Sequence, residues 1–134
     1  MPKLLTVIIP CYNEEENIRY FYEEFCKNDA YFLKHAIMYQ LLFVDDGSTD
    51  GTVTEIKNLH QKDKRIKLIS FSRNFGKEAA IYAGLQHASG NLVAIMDVDL
   101  QDPPSLLPQM IDEIFAGADQ VVARRTARKG EPRI

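Results

Sequence analysis

The hydrophobic positions of this chain fall into alternating strand-like and helix-like segments. Apolar runs at residues 4–10, 40–44, 66–71 and 91–96 have the length of buried strands, and a fifth strand is expected at residues 120–123. Between these runs, apolar residues recur at helical spacing. The alternation predicts an α/β fold, with a mostly parallel sheet and helices on both faces. The continuous apolar character of the fourth run predicts a strand buried on both faces.

The first predicted helix begins with Asn13 as its N-cap and Glu16 three positions later, a pairing typical of helix starts. It should end near Lys27. Residues 29–39 are ambiguous and could hold a short helix. The remaining predicted helices begin at Thr52, span residues 77–87, and run from Pro103 to Gly117.

Composition limits the chain to one domain, residues 1–134, with 46% hydrophobic residues. Sixteen Lys and Arg against nineteen Asp and Glu give a net charge of −3, which argues against a nucleic-acid partner. Two cysteines are too few for a disulfide framework and favour a reducing, cytoplasmic setting. The sequence shows neither a signal peptide nor an apolar run long enough to span a membrane, so any membrane contact is expected to be peripheral.

Acidic residues follow three of the predicted strands, at residues 12–15, 45–48 and 97–101. Loops after parallel strands open on one edge of the sheet, so these acids should converge. Each could instead stabilise a helix N-terminus by about 0.3–1 kcal/mol. That explanation suits Asp97 and Asp99 poorly, because the next helix begins only near Pro103. The pattern favours a Mg²⁺ or Mn²⁺ site that bridges to a nucleotide diphosphate.

Three ordered motifs carry a family resemblance: VIIPCYNE at residues 7–14, FVDDGSTDG at 43–51 and MDVDLQDPP at 96–104. Together they resemble family 2 glycosyltransferases. The stretch SRNFGK at residues 72–77 is similar to the branch containing dolichol-phosphate mannose synthase and bactoprenol glucosyltransferase. The resemblance implies a GT-A (Rossmann-like) fold, a nucleoside-diphosphate sugar donor, a divalent cation and inversion at the anomeric carbon.

The resemblance also implies roles for particular residues. Base and ribose are expected against Pro10, Tyr12, Glu14, Val44 and Asp46, with Val44 mainly a core residue. Metal and diphosphate are expected at Asp97, Val98, Asp99 and Gln101. Of these, Asp97, Asp99 and Gln101 form the expected metal set, with Asp99 the first choice as direct ligand, and Asp97 could act through ribose or water instead. Arg125 matches the family arginine near the phosphates, and Asp97, Asp99 and Arg125 are the expected catalytic residues.

Positive charge in two other places is open to more than one interpretation. Arg73 and Lys77 follow the third strand and could meet the phosphates or form a solvated basic loop. The basic tail, Arg124, Arg125, Arg128, Lys129 and Arg133, could bind an anionic acceptor, lie solvated, or contact an anionic membrane. A polyprenyl phosphate acceptor at the cytoplasmic face of the membrane suits these cations, since its nucleophile is already ionised.

Members of this branch continue beyond the fifth strand, so the chain is expected to be truncated at its C-terminus relative to them. A catalytically incomplete nucleotide-sugar-binding fragment, and a transferase with a hydroxyl acceptor, therefore stay open. A different phosphoryl-transfer domain would not call for all three motifs. A dinucleotide oxidoreductase is disfavoured because its glycine fingerprint is missing after the first strand. A donor of the UDP-glucose type is favoured, while the identity of the sugar and nucleobase and a homo-oligomeric state are left undecided.

Overall fold

The computed structural model describes residues 3–100 and 103–120. Its strands are β1 (Lys3–Cys11), β2 (Ile37–Asp45), β3 (Ile66–Ser70) and β4 (Leu92–Ile95). Its helices are α1 (Ile18–Cys26), α2 (Asp29–Lys34), α3 (Thr52–Lys62), α4 (Lys77–His87) and α5 (Leu107–Phe115), the last preceded by a 3₁₀ turn, Pro104–Leu106. All the strand pairs are parallel, in the order β3-β2-β1-β4. The predicted parallel α/β architecture is confirmed.

The core lies on both faces of the sheet because successive residues of β1 point to opposite sides. Leu5, Val7 and Ile9 join the larger cluster, to which α1, α2, α3 and α5 contribute. On the other face Ile8 packs with Ala80 of α4. A Cβ added at Gly84 of α4 would lie 2.4 Å from Ile8 Cγ2, so small residues let this helix approach the sheet closely. Helices therefore cover both faces, as predicted.

Strand β4 is partly buried on one face and exposed on the other, which corrects the expectation that both of its faces are buried. Val93 and Ile95 are each 48% exposed, whereas Leu92 and Ala94 pack against the larger core cluster. Helix α4 contacts β1 and β2, and β4 lies at the edge of the sheet formed by the described residues. An apolar run shows that both faces of a strand tolerate burial, but it does not show which neighbours cover them.

The start of α1 is a second correction. The helix begins at Ile18 after Asn17, so Asn13 is not its N-cap. Asn13 instead adopts a positive φ of 52°, and its side-chain oxygen accepts a hydrogen bond from the N–H of Thr49, 2.8 Å away. A contact with a distant loop has displaced the local capping arrangement.

Other boundaries agree well with the sequence. Helix α4 spans the predicted residues 77–87, α3 begins at Thr52 as predicted, and the ambiguous segment holds the short helix α2. Within the described residues, no helix combines the length and the apolar character needed to cross a bilayer. The expected fifth strand falls largely outside them, as do Gln101, Arg125 and the rest of the basic tail.

Candidate donor-binding site

One cavity of about 370 Å³ opens beyond the carboxyl ends of β1, β2 and β4. It is lined by Pro10, Cys11, Tyr12, Glu14, Asp46, Lys77, Ala80, Asp97, Val98 and Asp99. Ligands of open α/β sheets bind at this edge, and the volume lies within the range of small-molecule sites. The structure thus brings together most of the described residues that the motifs single out, although they are far apart in the sequence.

The loops after β1 and β2 are fastened to each other by side-chain hydrogen bonds. The backbone N–H of Asn13 donates to Ser48 Oγ, and the N–H of Glu14 donates to Thr52 Oγ1, each at 2.8 Å. Thr49 returns a bond to Asn13, as described above. These bonds hold Tyr12 and Glu14 at the cavity, where Tyr12 is 46% exposed and its ring could stack on a base.

Asp46 is buried, and its carboxylate binds the loop that precedes α4. It accepts hydrogen bonds from the N–H groups of Phe75 (2.7 Å) and Gly76 (3.0 Å), and from the side-chain amide of Asn74 (3.1 Å). The expected contact of Asp46 with a base or ribose stays a prediction. Its observed partners give it a second role, because they fix residues 74–76 against the cavity.

Asp97 and Asp99 lie in the loop that follows β4, on either side of a buried residue. Val98 is only 2% exposed and belongs to the larger core cluster, so it anchors the loop between the two aspartates. The Lys77 ammonium lies 2.7 Å from Asp97 Oδ1. Asp99 is exposed at the cavity. Core packing of one side chain therefore keeps both carboxylates at the site.

The donor atoms of this loop suit a hard divalent cation. Mg²⁺ is usually held by one or two carboxylates, with water and substrate phosphates completing its coordination, and Mn²⁺ favours the same oxygen ligands. Asp97 and Asp99 match that description, and the third expected ligand, Gln101, is outside the described residues. Within residues 3–100 and 103–120, no group of three His, Cys, Asp or Glu residues forms a metal site by itself. The two carboxylates could supply only part of a cation's coordination, and water or phosphate oxygens could supply the rest.

The cavity has a strongly negative character. Burial raises the pKa of the Cys11 thiol, and the surrounding carboxylates, with Asp45 and Glu14 foremost, raise it further. Cys11 therefore stays a neutral thiol. It was not singled out by the sequence argument, although its place directly after Pro10 in the first motif was a usable signal. Ala80 also lines the cavity but was not among the predicted site residues. The only sequence signal for it is its position in the first turn of a helix rich in small residues.

Val44 and Arg73 are described candidates that do not line the cavity. For Val44 the reason is clear. Its side chain is fully buried in the smaller core cluster with Ile8, Leu42 and Ala80. This agrees with its expected role as mainly a core residue. Its contact with the base stays a prediction.

The chain is similar in sequence to known glycosyltransferases. The family model for Glycosyl transferase family 2 matches residues 6–134. The putative glycosyltransferase CsbB of Bacillus subtilis (strain 168) is 46% identical over 128 residues, covering 96% of this chain and 38% of CsbB. A bactoprenol glucosyl transferase of Shigella phage SfV is 41% identical over 133 residues, covering 97% of this chain and 41% of that protein. The chain thus spans about two fifths of the length of these relatives.

Solved structures agree with this assignment. The mannosyltransferase PcManGT from Pyrobaculum calidifontis, in complex with GDP-Man and Mn²⁺, has a TM-score of 0.71 at 25% identity, covering 96% of this chain and 36% of that chain. S. aureus TarS 1-349 in complex with UDP-GlcNAc has a TM-score of 0.61 at 26% identity, covering 84% and 32%. The GT-A fold expected from the motifs is confirmed.

Proposed function

Because this chain belongs to the family 2 glycosyltransferases, we propose that its cavity binds a nucleoside-diphosphate sugar together with Mg²⁺ or Mn²⁺. The observation that supports this most directly is the joining of Tyr12, Glu14, Asp97 and Asp99 around one cavity. An aromatic ring and a carboxylate suit a base and ribose, and a carboxylate pair suits a cation on the diphosphate. A mannosyltransferase of the same fold was solved with GDP-Man and Mn²⁺, which supports the same ligand class here.

We infer the donor and the acceptor from relatives that are named for their reaction. The bactoprenol glucosyl transferase likeness favours a glucose donor of the UDP-glucose type and a polyprenyl phosphate acceptor. Such an acceptor lies in a membrane, so we place transfer at its cytoplasmic face. Arg125 and the neighbouring tail cations would serve the acceptor or donor phosphates in the longer protein.

The reaction breaks the bond between the anomeric carbon and the donor diphosphate and forms a bond from that carbon to an acceptor phosphate oxygen. The leaving diphosphate takes the electron pair. Asp97 and Asp99 would hold a divalent cation at the site, and that cation would supply Lewis-acid stabilisation of the leaving charge. A phosphate nucleophile is already ionised near neutral pH, so the reaction requires no side chain as a general base.

Calorimetry on the 134-residue chain tests the donor site. UDP, UDP-glucose and GDP-mannose are titrated with and without Mn²⁺ into the wild type and into Asp99→Ala. We expect Mn²⁺-dependent binding that weakens at least about tenfold in the variant, since even groups that only support a metal ligand are worth about 10–100-fold.

Glu23→Ala, which removes an exposed carboxylate of α1, is the matched control and should bind as the wild type does. Binding that is equally strong without Mn²⁺ and in Asp99→Ala would contradict the proposed cation site. Transfer is measured separately, by following radiolabelled glucose from UDP-glucose into a polyprenyl phosphate extracted in organic solvent.

A further inference from the structure

Lys77 is the first residue of α4, and its side chain forms an ion pair with Asp97, which lies in the loop after β4. Its Nζ lies 2.7 Å from Asp97 Oδ1, a distance typical of a charge-assisted hydrogen bond. Both residues line the cavity. The pair therefore lies inside the proposed donor site rather than beside it.

The position of Lys77 is fixed by the loop before it. Asp46 binds the N–H groups of Phe75 and Gly76, the two residues that immediately precede Lys77. Gly47 follows Asp46 in the loop after β2. A Cβ added there would lie 2.3 Å from the carbonyl carbon of Arg73, so this loop and the loop before α4 are in direct backbone contact. The backbone of Lys77 is thus placed by contacts with the buried Asp46 and with Gly47, while its side chain is 60% exposed.

The charges around the cavity suggest a role for Lys77. The cavity is lined by the four carboxylates of Glu14, Asp46, Asp97 and Asp99, and Lys77 is the single basic residue among its described lining residues. Exposed ion pairs contribute little to folding, about 0–1 kcal/mol, so stability does not explain the pair. A donor diphosphate with its cation brings both kinds of charge into the cavity. Asp97 then has a stronger partner in the divalent cation, and Lys77 has one in the phosphate oxygens.

We infer that Lys77 is an exchangeable counter-ion of the donor site. In the empty site its ammonium neutralises Asp97. When the donor and its divalent cation bind, the cation takes over Asp97, and Lys77 turns on its four-carbon stem to a diphosphate oxygen. This inference rests on the proposed function, and it assigns Lys77 to the phosphates rather than to a solvated loop.

The inference predicts opposite effects on two ligands when Lys77 loses its charge. In Lys77→Met, Mn²⁺ alone should bind about two- to fivefold more tightly. The Lys77 ammonium, which competes with the cation for Asp97 through an exposed ion pair, has been removed. UDP with Mn²⁺ should bind about tenfold more weakly, because a charge-assisted contact to the diphosphate is lost. Uridine, which has no phosphate, should be unaffected. Mn²⁺ binding is followed by electron paramagnetic resonance and nucleotide binding by calorimetry.

Two further variants keep the experiment decisive. Lys57→Met removes an exposed lysine of α3 and should change neither affinity. Lys77→Arg keeps the charge and should restore most of the UDP affinity. Thermal unfolding checks that each variant is folded.

The outcomes separate this inference from the proposed function. Equal Mn²⁺ affinities in wild type and Lys77→Met, or parallel weakening of UDP and uridine binding, would overturn the exchange and leave Lys77 a structural residue. A wild type that binds no nucleotide would contradict the proposed function. The Mn²⁺ titration would then decide by itself whether Lys77 competes with cations for Asp97.

Discussion

Gly47 lies where the loop after β2 contacts the loop before α4. Its φ of 76° is unfavourable for residues with a Cβ, and an added Cβ would lie 2.3 Å from Arg73 C and 2.5 Å from Asn74 N. Both of these neighbours are backbone atoms, which cannot rotate away as a side chain can. The glycine in the DDG motif is therefore explained by close packing of two backbones as well as by the turn.

We expect Gly47→Ala to lower the free energy of unfolding by at least about 2 kcal/mol, from backbone strain of about 1–3 kcal/mol plus overpacking of similar size. Urea denaturation measures the loss. Gly117→Ala is the matched control, because Gly117 also has a positive φ (119°) but its Cβ would meet nothing within 4 Å. Equal losses in the two variants would show that backbone contact at Gly47 is unimportant.

At the scale of elements, Asp63 joins the end of α3 to α1 and to the start of β3. Tyr22 of α1 donates a hydrogen bond to its carboxylate at 2.7 Å. The Arg65 side chain donates from Nε to both carboxylate oxygens, at 2.9 and 3.2 Å, and from a terminal nitrogen at 2.7 Å. The Asp63 side chain is only 12% exposed. The hydrogen bonds from Arg65, assisted by that from Tyr22, hold the pKa of the Asp63 carboxyl well below its usual range.

This lowered pKa gives a signed pH dependence. The folded state binds the Asp63 proton less readily than the unfolded state, so its contribution is complete above the unfolded pKa, about 4, and falls as the pH drops through the folded value. We expect Asp63→Asn to be less stable than wild type by a constant amount at pH 6–8, with the gap narrowing below about pH 4. Urea denaturation across this pH range measures the gap.

Glu23→Gln, which removes an exposed carboxyl charge of α1, is the control for a general change in acid sensitivity. A gap between Asp63→Asn and wild type that is the same at pH 3 and pH 7 would show that the Asp63 carboxylate is not responsible for acid sensitivity.

A ligand of the cavity should stabilise the whole fold, because the cavity forms only when three loops of the folded chain come together. Residues 12–14, 46–48 and 97–99 come from separate parts of the chain and meet only at the edge of the folded sheet. A ligand that binds all three is therefore specific to the folded state.

We expect UDP at about one hundred times its dissociation constant, added in saturating Mn²⁺, to raise the free energy of unfolding by about 2.7 kcal/mol above its value with Mn²⁺ alone. Thermal unfolding with UDP alone, Mn²⁺ alone and both together measures the effect. Asp99→Ala should lose the part of the stabilisation that requires both ligands. The same rise with UDP alone would indicate a nucleotide site that does not use the cation.

The sequence by itself determined the periodic pattern, and with it the parallel α/β architecture. Helix α4 and the start of α3 could be located because apolar spacing, glycine and proline act locally along the chain. The positions of Tyr12, Glu14, Asp97 and Asp99 at one edge also followed, because parallel strands end at the same side of a sheet.

Only the tertiary structure decided which partners these residues take. Asn13 is a good helix cap by local rules, yet it binds the loop at Thr49. Val93 and Ile95 resemble buried strand residues, yet α4 lies over β1 and β2 and leaves them exposed. The pairing of Lys77 with Asp97 depends on loop contacts between distant segments, which no pattern within either segment contains. The sequence pattern predicts the local structure that each residue favours, whereas tertiary packing determines which distant residues it contacts.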